Sequence, residues 1–354
     1  MRNKMTAVIL LSVFFNTLAF TPVSANESDR EVKVMTYNMY PGTEFSGVFG
    51  ALSPDELVTE VAEAYLDVQA SNVPERIDEI ADQITTNQPD VVGLQEVAIW
   101  SVGAPFDPAD ANLVVYDFLQ MLLDRLEARG VHYAAISIQQ NLTAELPAVF
   151  GPASALDVRY TDRVVILART DLPTSEMKIE AVGAGTFDTL LSFSSPVIGT
   201  LEVPRGWTSA DVKHRGKTYR FINAHLESFV EYYQIEQARE VATELTNTDL
   251  PVIVVGDFNS PAPGGNAYTI LLSGGLSDAW TSTNPGLAGL TWPLSAELPS
   301  ALLEPDQRID LVLYRGAVTA VSSDVLGEEA SDLTPSLFRP SDHAGVAASL
   351  VLQP

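Results

Sequence analysis

Cysteine is absent from this chain of 354 residues, which excludes disulfide staples and thiolate metal sites. Stability must therefore come from the core, and 46% hydrophobic residues can build a large one. Basic residues are scarce too: 20 Lys and Arg face 46 Asp and Glu, a net charge of −26 at pH 7. So acidic a surface slows encounter with nucleic acid or an anionic membrane, and it lacks the basic groove that processive nucleic-acid binding wants. Local binding of a phosphate stays open, because a metal ion in a site reverses the field around it. Internal repeats, low-complexity tracts and long linkers are missing as well. After residue 25 no run is long and apolar enough to span a bilayer.

What is present begins with Arg2 and Lys4 ahead of an apolar run from Met5 to Phe20, then small residues at Ser24 and Ala25. That is the pattern of a secretory signal peptide over residues 1–25, cleaved after Ala25; the run is short of the roughly 20 residues of a membrane span. The expected mature protein is residues 26–354, exported to the periplasm or beyond, with no membrane insertion and no obligate protein partner. Losing Arg2 and Lys4 takes the net charge from −26 to −26 − 2 = −28.

From Glu31 onward, strand-like and helix-like runs alternate, the mark of one α/β domain. Val, Ile, Leu and aromatics concentrate in the expected strands Val32 to Asn38, Asp90 to Val97, Tyr133 to Ile138, Arg163 to Ala168, Lys217 to Leu226, Val252 to Asp257, Ile309 to Tyr314 and Val346 to Leu352. So many strands fit two sheets face to face. Apolar spacings of three and four predict helices at Pro74 to Thr85, Asn112 to Arg129 and Glu231 to Leu245, with another from Ser53 to Leu66. Residues 98–111 and 183–210, rich in Gly, Pro and Ser, read as long loops or hairpins that border a site or cover a sheet edge.

Strand after strand then ends on a polar residue. Asn38 closes "VKVMTYN", Glu96 follows "VVGLQ", His225 follows "RFINA", and Asp257 and Asn259 follow "VIVVG". Asp310 opens "DLVL", and Asp342 and His343 precede the last strand. Singly, each has a bland reading as a turn residue, since short polar side chains bond to nearby backbone. Together they point to a ligand site, because ligands of α/β sheets gather where strand ends meet. Oxygen donors with two histidines and no thiolate favour a hard divalent cation, Mg²⁺ or Mn²⁺ before Zn²⁺.

The ordered motifs "TYN", "LQEV", "NAHLES", "GDFNS", "RIDLVL" and "SDHAG" resemble the endonuclease/exonuclease/phosphatase superfamily, which includes deoxyribonuclease I and the neutral sphingomyelinases, and they do so from Val32 to Leu352. The resemblance implies a four-layer α/β sandwich, two mixed sheets face to face with helices outside, and metal-dependent hydrolysis of phosphoric esters. It implies that Glu96 is the main metal-binding carboxylate, with Asn38 and Asp342 close to the same metal. Asp257 matches the aspartate that orients the attacking water, and Asn259 the amide that bonds the phosphate; their i, i+2 spacing in an extended segment would put both side chains on one face. His343 matches the histidine beside the scissile phosphate, held by Asp310, and His225 the second histidine of the deoxyribonuclease and sphingomyelinase branches. Asp162 and Arg163 stand near the phosphate or form a surface ion pair.

The substrate implied is a phosphodiester, either nucleic acid or a phospholipid head group. Two alternatives remain: a phosphomonoesterase on sugar or inositol phosphates, for which no Lys/Arg cluster is visible, and a non-catalytic binding module, against which the motif residues are all present.

Overall fold

The structure, a computed structural model, describes residues 30–294 and 305–353; the expected signal peptide lies outside them. Its frame is two mixed β-sheets. The first runs Val318–Leu326, Gly345–Leu352, Glu31–Asn38, Val91–Gln95, Ser154–Arg169, Ile99–Gly103, Leu113–Asp117, with the long strand Tyr133–Gly151 also pairing to Ser154–Arg169. The second runs Ser277–Asp278, Asp310–Arg315, Val252–Asp257, Lys217–His225, Gly206–His214, Met177–Thr186.

The strands are apolar on both faces because both faces are covered. Val34, Val91 and Ile166 of the first sheet meet Phe221, Ile253 and Val255 of the second in the central layer. Met35, Val92 and Leu94 point outward under helices Pro54–Ala70, Val73–Asn87 and Phe118–Ala128. Ile222, Val254 and Leu311 point to the opposite side, under Glu231–Glu240 and Asn266–Ser273. This is the four-layer α/β sandwich.

Register brings the polar strand ends together. Glu31–Asn38 runs parallel to Val91–Gln95 with Asn38 opposite Gln95, and Lys217–His225 runs parallel to Val252–Asp257 with His225 opposite Asp257. Asp310 starts an antiparallel strand opposite Asp257, so it reaches the same end of the sandwich. Gly256, with φ +147°, carries the chain past Ala224 into Asp257; a Cβ there would lie 1.9 Å from the Ala224 carbonyl oxygen.

Two helix bounds need correction, and residues 183–210 take one of their two expected forms. The helix expected from Asn112 begins only at Phe118; Leu113–Asp117 is a strand on Ile99–Gly103, which lies in the stretch 98–111 expected as a loop or hairpin. Val114 and Val115 favour the pleated backbone, and the Asp117 side chain caps the helix by accepting from the Leu119 and Gln120 N–H groups. The apolar spacing simply ran on through that cap. Residues 183–210, expected as loops or hairpins, are hairpin: two arms extend the edge of the second sheet, and between them Leu191–Ser195 pairs with Gly199–Val203 as a separate hairpin. The expected helix over Glu231 to Leu245 is α-helical to Glu240 and finishes in a π turn, Val241–Leu245.

A buried polar clamp ties the sheets together just beneath the site. Asn223 Nδ2 donates across the central layer to the carbonyls of Leu94 (3.0 Å) and Val165 (2.9 Å), and Gln95 Nε2 donates back to Asn223 Oδ1 at 2.6 Å. Gly93 lets them meet: a Cβ there would sit 2.5 Å from Val255 Cγ2. Asn223→Ala is expected to cost about 3 kcal/mol, since it strands several buried polar partners. Urea unfolding measures this, and a loss within error of zero refutes the clamp.

Candidate active site

The strand ends open into a cleft of about 170 Å³ whose walls include Glu96, Asp162, Arg205, His225, Asp257, Asn259, Asp342 and His343. Asn38 and Asp310 stand directly behind it. All eight residues expected from the strand ends are thus gathered in one place.

At the floor, His343 Nδ1 is 2.9 Å from Asp310 Oδ2, while its Nε2 faces Asp257 Oδ2 at 3.8 Å and Asn38 Nδ2 at 3.5 Å. Burial works against a charge on this imidazole, but Asp310, Asp257 and Asp342 outweigh it and hold its pKa well above the usual value. His343 is therefore an imidazolium at neutral pH, with Nδ1–H donating to Asp310. Asp257, Asp310 and His343 each offer a ligand atom within 4.8 Å of the others. Their tight spacing comes from this hydrogen bond and the facing strands.

Asp257 is pushed up to about 6, chiefly by burial and then by Asp310, against the pull of His343 and the Asn259 N–H. Asn38 Nδ2 donates to Asp257 Oδ2 at 3.1 Å. The orientation of that amide is set on its other side, where the Tyr40 N–H donates to Asn38 Oδ1 at 3.0 Å. Asn38 thus braces Asp257 and keeps one oxygen lone pair for a cation.

Asn259 reaches Asp257 differently from the alternation expected of an extended segment. The strand ends at Asp257, and Asn259 turns back with φ +50°, its N–H donating to Asp257 Oδ1 at 2.8 Å. Its side-chain amide donates to the Leu226 carbonyl at 3.0 Å, which fixes it on the cleft wall.

His225 Nε2 lies 3.4 Å from Asp257 Oδ2 and 3.8 Å from Glu96 Oε1. Burial, then Arg205, then His343 hold its pKa well below the usual value, so this second imidazole is neutral. Arg205 NH1 is 3.2 Å from His225 Nδ1 and 3.3 Å from its Nε2. Burial opposes the arginine's charge, but Glu227, Asp162 and Glu96 outweigh that and raise its pKa.

Glu96, with 20% of its side chain exposed, is pushed up to about 8 by burial and next by Asp342. Asp342 is also raised, first by burial. Two facing carboxylates that resist ionisation in the bare protein are a donor set a hard cation would satisfy. Behind them, buried Arg76 donates to the carbonyls of Met39 and Tyr40 and stacks 5.0 Å over the Tyr40 ring.

Sequence reasoning missed Arg205, the sole basic residue of 183–210, whose only signal was its place between Pro204 and Gly206 in a stretch read as a loop or hairpin. It also missed Asn223 and Gln95, hidden inside strands. Asp162 belongs to the cleft, held by Asn141 Nδ2 at 2.9 Å. Arg163 does not: it bonds the Val97 carbonyl at 2.8 Å and Asp117 at 2.6 Å.

The model of the Endonuclease/Exonuclease/phosphatase family matches residues 36–343. The chain belongs to this family. A family protein from Bacteroides thetaiotaomicron shares its fold at TM-score 0.55 and 19% identity, over 91% of this chain and 95% of that one. A mannosyl-6-phosphatase from the same organism gives TM-score 0.53 and 19% identity, over 90% and 99%. The human Nocturnin catalytic domain gives 0.51 and 19%, over 92% and 95%. Comparison with curated proteins finds no match. As a member of the endonuclease/exonuclease/phosphatase family, the protein is a metal-dependent phosphoester hydrolase.

Asp310→Asn, which keeps the shape and removes the charge, is expected to bring the His343 pKa back down toward the ordinary histidine range. Ring-nitrogen NMR titration reads this directly; an unmoved His343 refutes Asp310 as its holder.

Proposed function

We propose that the protein is an exported phosphodiesterase using Mg²⁺ or Mn²⁺, in which water attacks a phosphodiester in line. The observation that carries this reading is the pairing, at one cleft floor, of the cationic His343 with Asp257, a base matched to neutral pH. Glu96 and Asp342, with Asn38 beside them, would hold the metal. When bound, the metal supplies Lewis-acid stabilisation of charge on the phosphoryl oxygens.

The chain's own groups divide the remaining work. Asp257 takes a proton from the attacking water as the new P–O bond forms and the P–O bond to the leaving group breaks. Asn38 keeps Asp257 in position for this. His343 presents Nε2–H to the phosphate, and Arg205 and the Asn259 amide meet its remaining oxygens. His225 lies against Asp257 as a neutral partner. A diester carries one negative charge and a monoester nearly two. Among the described residues, the cations lining the cleft are Arg205 and His343, facing several carboxylates, a balance that favours the diester.

The test offers bis-p-nitrophenyl phosphate and p-nitrophenyl phosphate to the purified protein with Mg²⁺ or Mn²⁺; a mannosyl-6-phosphatase among the similar structures makes the monoester a necessary arm. Faster hydrolysis of the diester is expected, and turnover of the monoester alone overturns the reading. His343→Ala and Asp257→Ala should each lower kcat on the order of 10³-fold with the fold intact by circular dichroism. Glu96→Gln should abolish the rise in melting temperature that Mg²⁺ produces in the unaltered protein. Export rests on the pattern of residues 1–25, and mass spectrometry of the secreted N-terminus tests it.

A further inference from the structure

A second cavity, of about 230 Å³, opens beside the catalytic cleft. Phe45, Phe49, Leu142 and Tyr160 border both spaces, so the two are adjacent across these side chains. Its depth is apolar, walled by Val61 and Ala64 of a helix, Trp100 and Val158 of the first sheet, and Ile198 and Leu201 of the hairpin that covers it. That hairpin is pinned over the space by Phe193, whose ring meets Phe49 edge-on at 5.3 Å. The apolar loop tip thus faces the protein rather than solvent.

The polar side chains along the wall already have partners. Thr143 Oγ1 bonds Thr161 Oγ1 at 3.2 Å, Glu145 accepts from the Ala111 N–H at 2.9 Å, and Trp100 Nε1 donates to the Pro41 carbonyl at 3.0 Å. A nucleobase placed here would lose water from its polar edge and find little to replace it. Protein interiors seldom leave voids larger than a water molecule, and one of this size beside a reactive phosphate position is shaped for a ligand.

We infer that this cavity is the subsite for an alkyl or acyl chain carried by the scissile phosphodiester. The inference rests on the phosphodiesterase reading above and narrows its substrate to lipid-like diesters. The chain enters past Phe45 and Phe49 while its phosphate stays against His343 and Arg205. Burial of successive methylenes raises kcat/KM by up to about fourfold each until the cavity is full.

The experiment is a series of p-nitrophenyl diesters bearing methyl, butyl and octyl groups, with thymidine 5′-(p-nitrophenyl phosphate) as the nucleoside arm, all below micelle-forming concentration with Mg²⁺. From methyl to butyl, kcat/KM should rise at least about tenfold. Ala144 also lines this cavity, and Ala144→Phe or Ala64→Phe, each filling it away from the catalytic residues, should flatten the series while leaving methyl ester turnover unchanged. Equal rates along the series, or a nucleoside ester faster than the octyl ester, overturns the inference. If no diester reacts, the phosphodiesterase reading itself fails. The cavity is then judged by calorimetry: n-octyl phosphate should bind at least about tenfold tighter than methyl phosphate, and Ala144→Phe should erase the difference. Equal affinities overturn the subsite.

Discussion

The structure depends on Asn223, a fully buried amide that hydrogen-bonds from one sheet into the backbone of the other. Hydrophobic contact between sheets is non-directional and would tolerate a slide of one over the other. An amide that must find Leu94, Val165 and Gln95 tolerates none, because each lost partner leaves a buried polar group unpaired. Glu96 directly follows Gln95, and His225 comes two residues after Asn223, so the strands reach their polar ends just past the clamp. The clamp therefore fixes where Asn38 and Glu96, from one sheet, meet His225 and Asp257, from the other.

The cleft concentrates like charges at a cost, and the protein offsets it locally. Arg205 stands against Glu96, Asp162 and Glu227, and Arg76 is buried behind Asp342. The two histidines are driven in opposite directions by their neighbours: carboxylates around His343 keep its proton, while Arg205 beside His225 and its full burial remove one. A cationic and a neutral imidazole in one cleft follow from environment alone. Glu96 and Asp342, held back from ionising by burial and by each other, are the pair a hard cation would relieve.

Much of the sandwich was legible in the sequence. Strands such as "VIVV" are short, apolar and β-branched, and such side chains fit a pleated surface buried on both faces. The failures lie where local pattern conflicted with a cap or a partner. Leu113 to Tyr116 shared the spacing of the following helix but paired instead with Ile99–Gly103. Residues 183–210 left loop and hairpin open, and only the ladder partners their backbone finds at the sheet edge and in the covering hairpin decide for the second. Asn259 was placed near Asp257 for the wrong reason: a left-handed turn, which sequence spacing cannot reveal, brings it back.

By itself, the sequence determined which chemistry is on hand, because carboxylates, amides and imidazoles at strand ends are written in residue identity and order. It also determined the layers, because apolar period and strand length decide which faces need cover. Tertiary structure alone decided the protonation of the two histidines, the entry of Arg205 into the cleft and the apolar cavity at its side. Those properties are set by distances between segments remote in the chain, as between Asn38 and His343, 305 residues apart and 3.5 Å from atom to atom. Electrostatic and packing energies depend on such distances, and no local pattern carries them.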